Sequence, residues 1–179
     1  MVKYKLFCER TMIKIGILTI SDKGSRGQRE DKSGEAIREG VSRIDGKVIK
    51  YEIVPDEMDI IAEKLAEWAD GREVDVILTT GGTGLSKRDV TPEATLSILD
   101  REVPGIAEAM RAKSLEKTPM AVLSRAVAGQ RADCLIINMP GSVKAVKECL
   151  EAIIAAIPHA VEIITGKVTE HLVQDAGIK

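Results

Sequence analysis

Residues 74–95 constrain the fold of this chain more than any other stretch. Residues 74–80 form a mostly apolar, β-branched run of the kind that a buried parallel strand requires. A glycine-rich loop follows at once, and glycine permits positive φ angles and a close approach of backbone N–H groups to a ligand. Thr91 and Pro92 then predict a helix start, with Thr91 as N-cap. A strand, a loop and a helix N-terminus in this order predict an anion-binding site.

The glycines of residues 81–84 match neither of two familiar phosphate-binding motifs. A P-loop requires Lys and then Ser or Thr directly after its last glycine, but here Leu85 and Ser86 follow. The dinucleotide-binding fingerprint requires Gly or Ala at the position of Lys87. Two cations and one carboxylate at residues 87–89 favour a phosphate and metal site. A glycine turn that merely closes a strand is the alternative interpretation.

Composition excludes several classes of protein. The chain has 179 residues, 44% of them hydrophobic, which predicts one folded domain and not a disordered chain. The 26 Lys and Arg residues against 28 Asp and Glu give a net charge of −2, and only 2% of residues are aromatic. We therefore expect no binding to nucleic acid or to a membrane surface. The three cysteines are dispersed, and we recognise no signal peptide or membrane span in the sequence. These features predict that the protein lies in a reducing cytoplasm.

Alternating strand and helix patterns predict an α/β fold, a three-layer αβα sandwich with a mainly parallel sheet. The predicted strands are residues 13–20, 48–54, 74–80, 121–127 and 134–139. The last two are too close for a helical crossover, so they predict a small antiparallel excursion. A helix over residues 92–100 is expected to bury Leu96 and Leu99. We predict an N-terminal extension (1–12), one domain (13–166) and a C-terminal tail (167–179).

Several predicted strands end in polar loops, which should meet at one edge of a parallel sheet. Ser21 and Asp22 follow the first strand, and Pro140-Gly141-Ser142 follows the last. Mg²⁺ prefers one or two carboxylates together with phosphate oxygens and water, and Asp56 and Asp89 could supply them. From the residues alone, Asp56 could instead cap the helix that follows it, and Ser21-Asp22 could be a simple turn.

Four motifs together resemble the molybdopterin adenylyltransferase family, which includes the MogA and MoaB proteins and the G domain of gephyrin. They are Thr80-Gly81-Gly82-Thr83-Gly84, Arg88-Asp89-Val90-Thr91-Pro92-Glu93-Ala94, Val54-Pro55-Asp56-Glu57 and Asn138-Met139-Pro140-Gly141. The likeness runs in order from about residue 13 to residue 166. It favours a functional role for Asp56 over capping alone, because the surrounding motif matches as a unit.

The resemblance implies a reaction in which the terminal phosphate of molybdopterin takes AMP from ATP, and pyrophosphate leaves. It implies Mg²⁺ held by Asp56 and Asp89, which also serve as catalytic residues, and charge stabilisation by Lys87 and Arg88. The residues implied in substrate binding are Ser21, Asp22, Thr80, Gly81, Gly82, Thr83, Gly84, Ser114, Ser124, Asn138, Pro140, Gly141 and Ser142.

Family members are similar in being homotrimers, and a molybdenum-insertion protein is an implied partner. The alternative hypothesis is a non-catalytic carrier or regulatory module that holds molybdopterin without transferring a nucleotide. The presence of both carboxylates favours the enzyme. After Pro140-Gly141 this chain has Ser142-Val143-Lys144, where some relatives have other polar residues, so the pterin contacts depart from the family pattern.

Overall fold

A computed structural model describes residues 12–167 of the chain. These residues form one six-stranded sheet with the spatial order β2-β1-β3-β6-β5-β4. In chain order the strands are β1 (Ile13–Ile20), β2 (Gly46–Val54), β3 (Val76–Thr80), β4 (Arg101–Glu102), β5 (Ala128–Arg131) and β6 (Cys134–Met139). The first three strands and β6 are parallel, whereas β5 and β4 are antiparallel. The predicted fold class is confirmed.

Helices cover both faces of this sheet. Within residues 12–167 they are α1 (Asp22–Ser25), α2 (Lys32–Val41), α3 (Met58–Asp70), α4 (Thr91–Leu96), α5 (Pro104–Leu115), α6 (Val143–Ile153) and α7 (Ile157–Ile164). One core contains Ile15 and Ile17 of β1 with side chains of α2, α5, α6 and α7. The other contains Leu18 and Ile20 of β1 with side chains of α3 and α4. Since both faces are covered, every residue of the central strands β3 and β6 is buried.

The predicted strand at residues 121–127 is wrong. A 3₁₀ helix, Pro119–Leu123, covers the start of this segment, and residues 124–127 have no regular secondary structure. The side chain of Thr118 caps the 3₁₀ helix by accepting from the main-chain N of Met120. The antiparallel strand comes later, as β5, and pairs with β6. Its sequence Ala-Gly-Gln-Arg lacks a strand pattern because Gly129 must fit against Leu99, whose Cδ1 lies 2.3 Å from where a Cβ would stand.

Two details of the predicted helix at residues 92–100 are also wrong. Thr91 is the first residue of α4, and its side chain makes no capping hydrogen bond to the helix. The hydroxyl instead donates to the carbonyl of Gly81 at 2.9 Å. The helix ends at Leu96, whose side chain is 42% exposed, whereas Leu99 packs against the core as predicted.

Cys134 and Cys149 are buried and free, and they pack as small core residues. Burial raises the pKa of Cys134 to about 12, so this thiol is protonated and inert at neutral pH. None of the helices within residues 12–167 is long and apolar enough to cross a bilayer. Cys8, the predicted extension at 1–12 and the predicted tail at 167–179 lie outside the described residues, apart from Met12 and Lys167.

Asp31 ties three elements together at the start of α2. Its carboxylate caps the helix by accepting from the main-chain N of Gly34 at 2.9 Å. It also accepts from Ser33 Oγ at 2.8 Å, from Tyr51 Oη at 2.7 Å and from Thr19 Oγ1. Burial alone would raise the pKa of Asp31, but these hydrogen bonds together lower it below its ordinary value.

We expect Asp31→Asn to lower the free energy of unfolding by about 1–3 kcal/mol at pH 7. The amide nitrogen would face hydrogen-bond donors where the parent has an accepting carboxylate oxygen. A carboxylate with a depressed folded-state pKa stabilises the fold above its unfolded pKa and loses that effect as the pH falls through the folded value. Urea denaturation should therefore show that the difference in free energy of unfolding between the parent and Asp31→Asn shrinks below about pH 4. The exposed Asp133→Asn, which loses only a 3.8 Å contact with Arg72, is the control and should change little.

Candidate active site

The glycine loop after β3 takes a conformation that other residues resist. Gly81 has φ of +102° and Gly82 has φ of +63°. A Cβ on Gly81 would lie 2.3 Å from the carbonyl oxygen of Ile20, and one on Gly82 would lie 2.3 Å from Thr91 Oγ1. Both glycines are therefore required by backbone conformation and by close packing.

The carboxyl ends of three parallel strands lie next to this loop. Thr80, the last residue of β3, pairs with Thr19 of β1 and with Met139 of β6. Its hydroxyl donates to the carbonyl of Pro140 at 2.7 Å. Gly141 approaches so closely that a Cβ there would lie 3.3 Å from Gly81 Cα. The turn after β6 thus packs directly on the glycine loop, as expected for the carboxyl edge of a parallel sheet.

A cleft of about 860 Å³ opens over these strand ends. It brings together several residues predicted to bind substrate or metal, namely Ser21, Asp56, Thr80, Gly81, Gly82, Gly141 and Ser142. Ser142 caps α6 through the main-chain N of Ala145, and Ser21 caps α1 through that of Gly24. Ser21 therefore both caps a short helix and lines the cleft.

An acidic group adjoins this cleft through Asp56, which lines it. The main-chain N of Asp22 donates to Asp56 Oδ2 at 2.8 Å, and that of Asp56 donates to Asp22 Oδ1 at 3.2 Å. Arg88 reaches across from the glycine loop and donates to both oxygens of Asp22 at 2.9–3.2 Å. It also pairs with Glu57 at 2.8 Å. Arg88 is therefore engaged by protein carboxylates and holds the loop against α1.

Asp56 keeps one carboxylate oxygen free within residues 12–167, since Oδ1 has no hydrogen bond there. This oxygen lies 3.4 Å from where a Cβ on Gly82 would stand, so it sits over the glycine loop. Burial raises the pKa of Asp56, and the charges of Asp22 and Asp89 add to the rise. The hydrogen bond from Asp22 and the charge of Arg88 oppose it. Asp56 is not a helix cap, because Glu57 holds the N-cap position of α3.

Asp89 lies in a tight turn of the same loop. Its Oδ2 accepts from the main-chain N of Ser86 at 2.8 Å, and its own N donates to the carbonyl of Ser86 at 2.9 Å. An added Cβ on Gly84 would lie 2.9 Å from Asp89 Oδ2, and one on Gly82 would lie 3.4 Å from Asp56 Oδ1, so both carboxylates lie against the glycine loop. Among residues 12–167 no three His, Cys, Asp or Glu side chains form a metal-binding cluster. A cation here would need ligands from a substrate or water as well.

A second cleft of about 290 Å³ lies on the other side of the loop. Five predicted substrate residues line it, namely Thr83, Gly84, Ser114, Ser124 and Pro140. Met110, Met120 and Leu123 give it a more apolar wall than the first cleft has. Residues 80–84 and 140–142 therefore separate two clefts, and each cleft contacts both segments.

Five predicted residues line neither cleft, namely Asp22, Lys87, Arg88, Asp89 and Asn138. Asn138 is 0% exposed, and its amide donates to Thr79 Oγ1 at 3.1 Å and to Thr95 Oγ1 at 2.9 Å. It supports the strand end from inside the core. Lys87 is exposed on the outside of the loop.

Arg125 is a contact of the loop that the sequence did not indicate. It follows the 3₁₀ helix and hydrogen-bonds the carbonyls of Gly84 and Asp89. An isolated Arg within an apolar segment carries no recognisable signal. Its partners lie 41 and 36 residues away in the chain, so only the fold brings them together.

Comparison with known proteins agrees with this arrangement. Residues 16–159 match the family described as "Probable molybdopterin binding domain". The molybdopterin adenylyltransferase of Helicobacter pylori strain J99 is 47% identical over 156 residues, which cover 86% of this chain and 89% of the relative. That of Escherichia coli K12 is 39% identical over 172 residues, 88% of each chain.

A solved structure, that of the molybdopterin biosynthesis enzyme MoaB from Thermus thermophilus, superimposes with a TM-score of 0.82 at 54% identity. The likeness covers 89% of this chain and all of that one. The matched residues include β3, the glycine loop, the acidic group and the turn after β6. The chain therefore belongs to the molybdopterin-binding domain family of the MogA and MoaB proteins.

Proposed function

We propose that this protein is a molybdopterin adenylyltransferase that acts in molybdenum cofactor biosynthesis. An oxygen of the terminal phosphate of molybdopterin attacks the α-phosphorus of ATP. The bond from that phosphorus to the β-phosphate oxygen breaks, and pyrophosphate leaves with the electron pair. The product is adenylylated molybdopterin, ready for molybdenum insertion. Relatives that carry this name at 47% and 39% identity support the assignment.

The observation that carries the proposal is the free carboxylate oxygen of Asp56 beside the glycine loop. Three carboxylates, those of Asp22, Asp56 and Asp89, interact there, and the half-buried Asp56 has a raised pKa. An excess of negative charge next to a phosphate cradle is unfavourable unless a cation joins it. This is the environment of a metal–nucleotide site.

The donor set fits Mg²⁺, with Asp56 and Asp89 as the residues that would hold it. When bound, Mg²⁺ would neutralise the negative charge of the phosphates. The backbone N–H groups of residues 80–84 orient and stabilise phosphate oxygens from the loop. Arg88 holds Asp22 against Asp56 and so fixes the direction of the Asp56 carboxylate.

The arrangement of the two clefts also favours a transfer between two substrates. ATP and molybdopterin in opposite clefts would present their phosphates to the same loop, because residues 80–84 and 140–142 form a wall of each. Positioning of this kind supplies much of the rate enhancement in phosphoryl chemistry.

The test is to incubate the purified protein with molybdopterin, ATP and MgCl₂, and to measure adenylylated molybdopterin and pyrophosphate. Equal amounts of the two products are expected, and excess EDTA should stop their formation. Absence of both products under conditions where the Escherichia coli relative forms them would contradict the proposal.

The alternative function is a carrier that binds molybdopterin without transferring a nucleotide. Equilibrium titration separates the two functions, because a carrier should bind molybdopterin and show no affinity for ATP with Mg²⁺. The carboxylate pair beside the loop favours the enzyme, since a carrier of one anionic substrate has no need of extra negative charge.

We also propose a cytoplasmic homotrimer that passes its product to a molybdenum-insertion protein. Exposed apolar side chains near the second cleft, Leu115, Met120, Val122 and Leu123, support burial between subunits. Light scattering should give three times the chain mass of 19.4 kDa. A monomeric mass would contradict the trimer without bearing on the reaction.

A further inference from the structure

The loop of residues 84–89 has little support of its own. Its internal hydrogen bonds join Ser86 to Arg88 and Asp89, and Leu85 near its tip is 66% exposed. The side chain of Arg88 ties the outer part of the loop to Asp22 and Glu57. An exposed loop with few buried contacts opens at a low free-energy cost. The position of the Asp89 carboxylate therefore depends on the Arg88 contacts and on what holds the two ends of the loop.

Arg125 holds both ends. Its Nε donates to the carbonyl of Gly84 at 2.6 Å, and its Nη2 donates to the carbonyl of Asp89. Its main-chain N also donates to the carbonyl of Thr83 at 3.0 Å. The planar guanidinium presents its donors in fixed directions, so one side chain can bridge two carbonyls.

Glu93 of α4 orients this guanidinium. One of its oxygens pairs with Arg125 Nη1. The other, Oε2, is buried and has no hydrogen-bond partner within residues 12–167. A buried carboxylate oxygen without a partner is costly, so the charge of Arg125 must remain beside it. The ion pair therefore anchors the bridge to the helix that follows the loop.

We infer that Arg125 is a positioning residue for Asp89, and the inference rests on the proposed adenylyl transfer. It bridges the first and last residues of the loop at their main-chain carbonyls. In this way it fixes the backbone that carries the Asp89 side chain. It thereby fixes the position of the Asp89 carboxylate relative to that of Asp56. Arg125 acts through the loop and need not touch a substrate.

The test variant is Arg125→Lys, which keeps a cation beside Glu93 but cannot bridge two carbonyls in the guanidinium geometry. Hydrogen exchange of the free protein, followed by mass spectrometry, should be at least about tenfold faster in peptides covering residues 84–90. The kcat should fall on the order of tenfold to a hundredfold. The KM values for ATP and molybdopterin should stay within about twofold, because the substrate contacts remain.

Arg131→Lys is the matched control. Arg131 also makes a two-pronged contact with a carboxylate, Asp70, at 2.9 and 2.7 Å, and donates to the carbonyl of Ile98 at 2.8 Å. It lines neither cleft. This variant should be destabilised in urea, yet exchange of residues 84–90 and the kcat should match those of the parent.

Unchanged exchange of the loop in Arg125→Lys would overturn the inference. So would faster exchange with an unaltered kcat, or an equal loss of kcat in Arg131→Lys. A parent protein that forms no product contradicts the adenylyl transfer. The exchange comparison, made without substrates, then still decides whether Arg125 holds the Asp89 loop.

Discussion

Asp56→Asn is expected to reduce the rate of adenylyl transfer on the order of 10²-fold or more, in line with the loss of a charge-stabilising group. The amide keeps the shape of the side chain, and its oxygen can still accept from the main-chain N of Asp22. What it removes is the negative charge beside the glycine loop. Initial rates of pyrophosphate release at saturating ATP and molybdopterin measure the effect. Asp89→Asn should show a loss of similar size.

The same Asp56→Asn change should not lower stability at neutral pH, and thermal unfolding should show a higher midpoint. A carboxyl group with a raised folded-state pKa contributes fully to stability below its unfolded pKa. That contribution is lost as the pH rises through the folded value. Because burial raises the pKa of Asp56, its ionisation at pH 7 opposes folding, and the neutral amide removes this cost. The gain should disappear below about pH 4, where the parent side chain is protonated.

Asp59→Asn provides the control for both measurements. Asp59 is exposed in the first turn of α3, three positions beyond Asp56, and lines neither cleft. Its replacement should leave the rate within about twofold of the parent. Full activity of Asp56→Asn and Asp89→Asn would show that neither carboxylate takes part in the transfer.

Gly81→Ala has the second large expected effect, and it acts on folding as well as activity. At φ of +102° an alanine is strained, and its Cβ would meet the carbonyl oxygen of Ile20 at 2.3 Å. Backbone strain of this kind costs about 1–3 kcal/mol, and forced overpacking adds about 1–3 kcal/mol. Urea denaturation should show a loss in that combined range. Transfer activity should fall further than the folded fraction, because the loop must move away from Ile20.

Gly105→Ala is the matched replacement. Gly105 lies in the first turn of α5, has an ordinary φ angle and has no atom within 4 Å of an added Cβ. Alanine there should be neutral or should stabilise by up to about 1 kcal/mol, since it is the better helix former. If Gly81→Ala were tolerated as well as Gly105→Ala, the close approach of the loop to β1 would be contradicted.

The sequence predicts the framework of the site because that framework depends on local patterns. Apolar runs marked β1, β3 and β6, and adjacent glycines marked the loop at residues 81–84. Parallel strands align their carboxyl ends, so the meeting of these loops followed from the fold class. Asp56 differs, because its residue pattern alone favoured a helix cap. Its functional interpretation came from family resemblance.

Features that depend on contacts between distant segments were not predictable in this way. β5 is short and contains a glycine required by Leu99, so its four residues carry no periodicity. The segment before it looked like a strand, although Pro119 and a capping Thr118 start a 3₁₀ helix there. Arg125 and the pairing of Arg88 with Asp22 join residues far apart in the chain. Such pairs are settled by tertiary packing and not by local propensity.

The loop of residues 80–84 forms part of the wall of both clefts. A substrate bound in one cleft orders this loop. A second substrate, binding in the other cleft, then loses less conformational entropy. The affinities for the two substrates are then linked thermodynamically. Binding of either substrate must change the affinity for the other by the same factor. Calorimetric titration of either substrate, with and without a non-reactive analogue of its partner, would yield that factor from both directions.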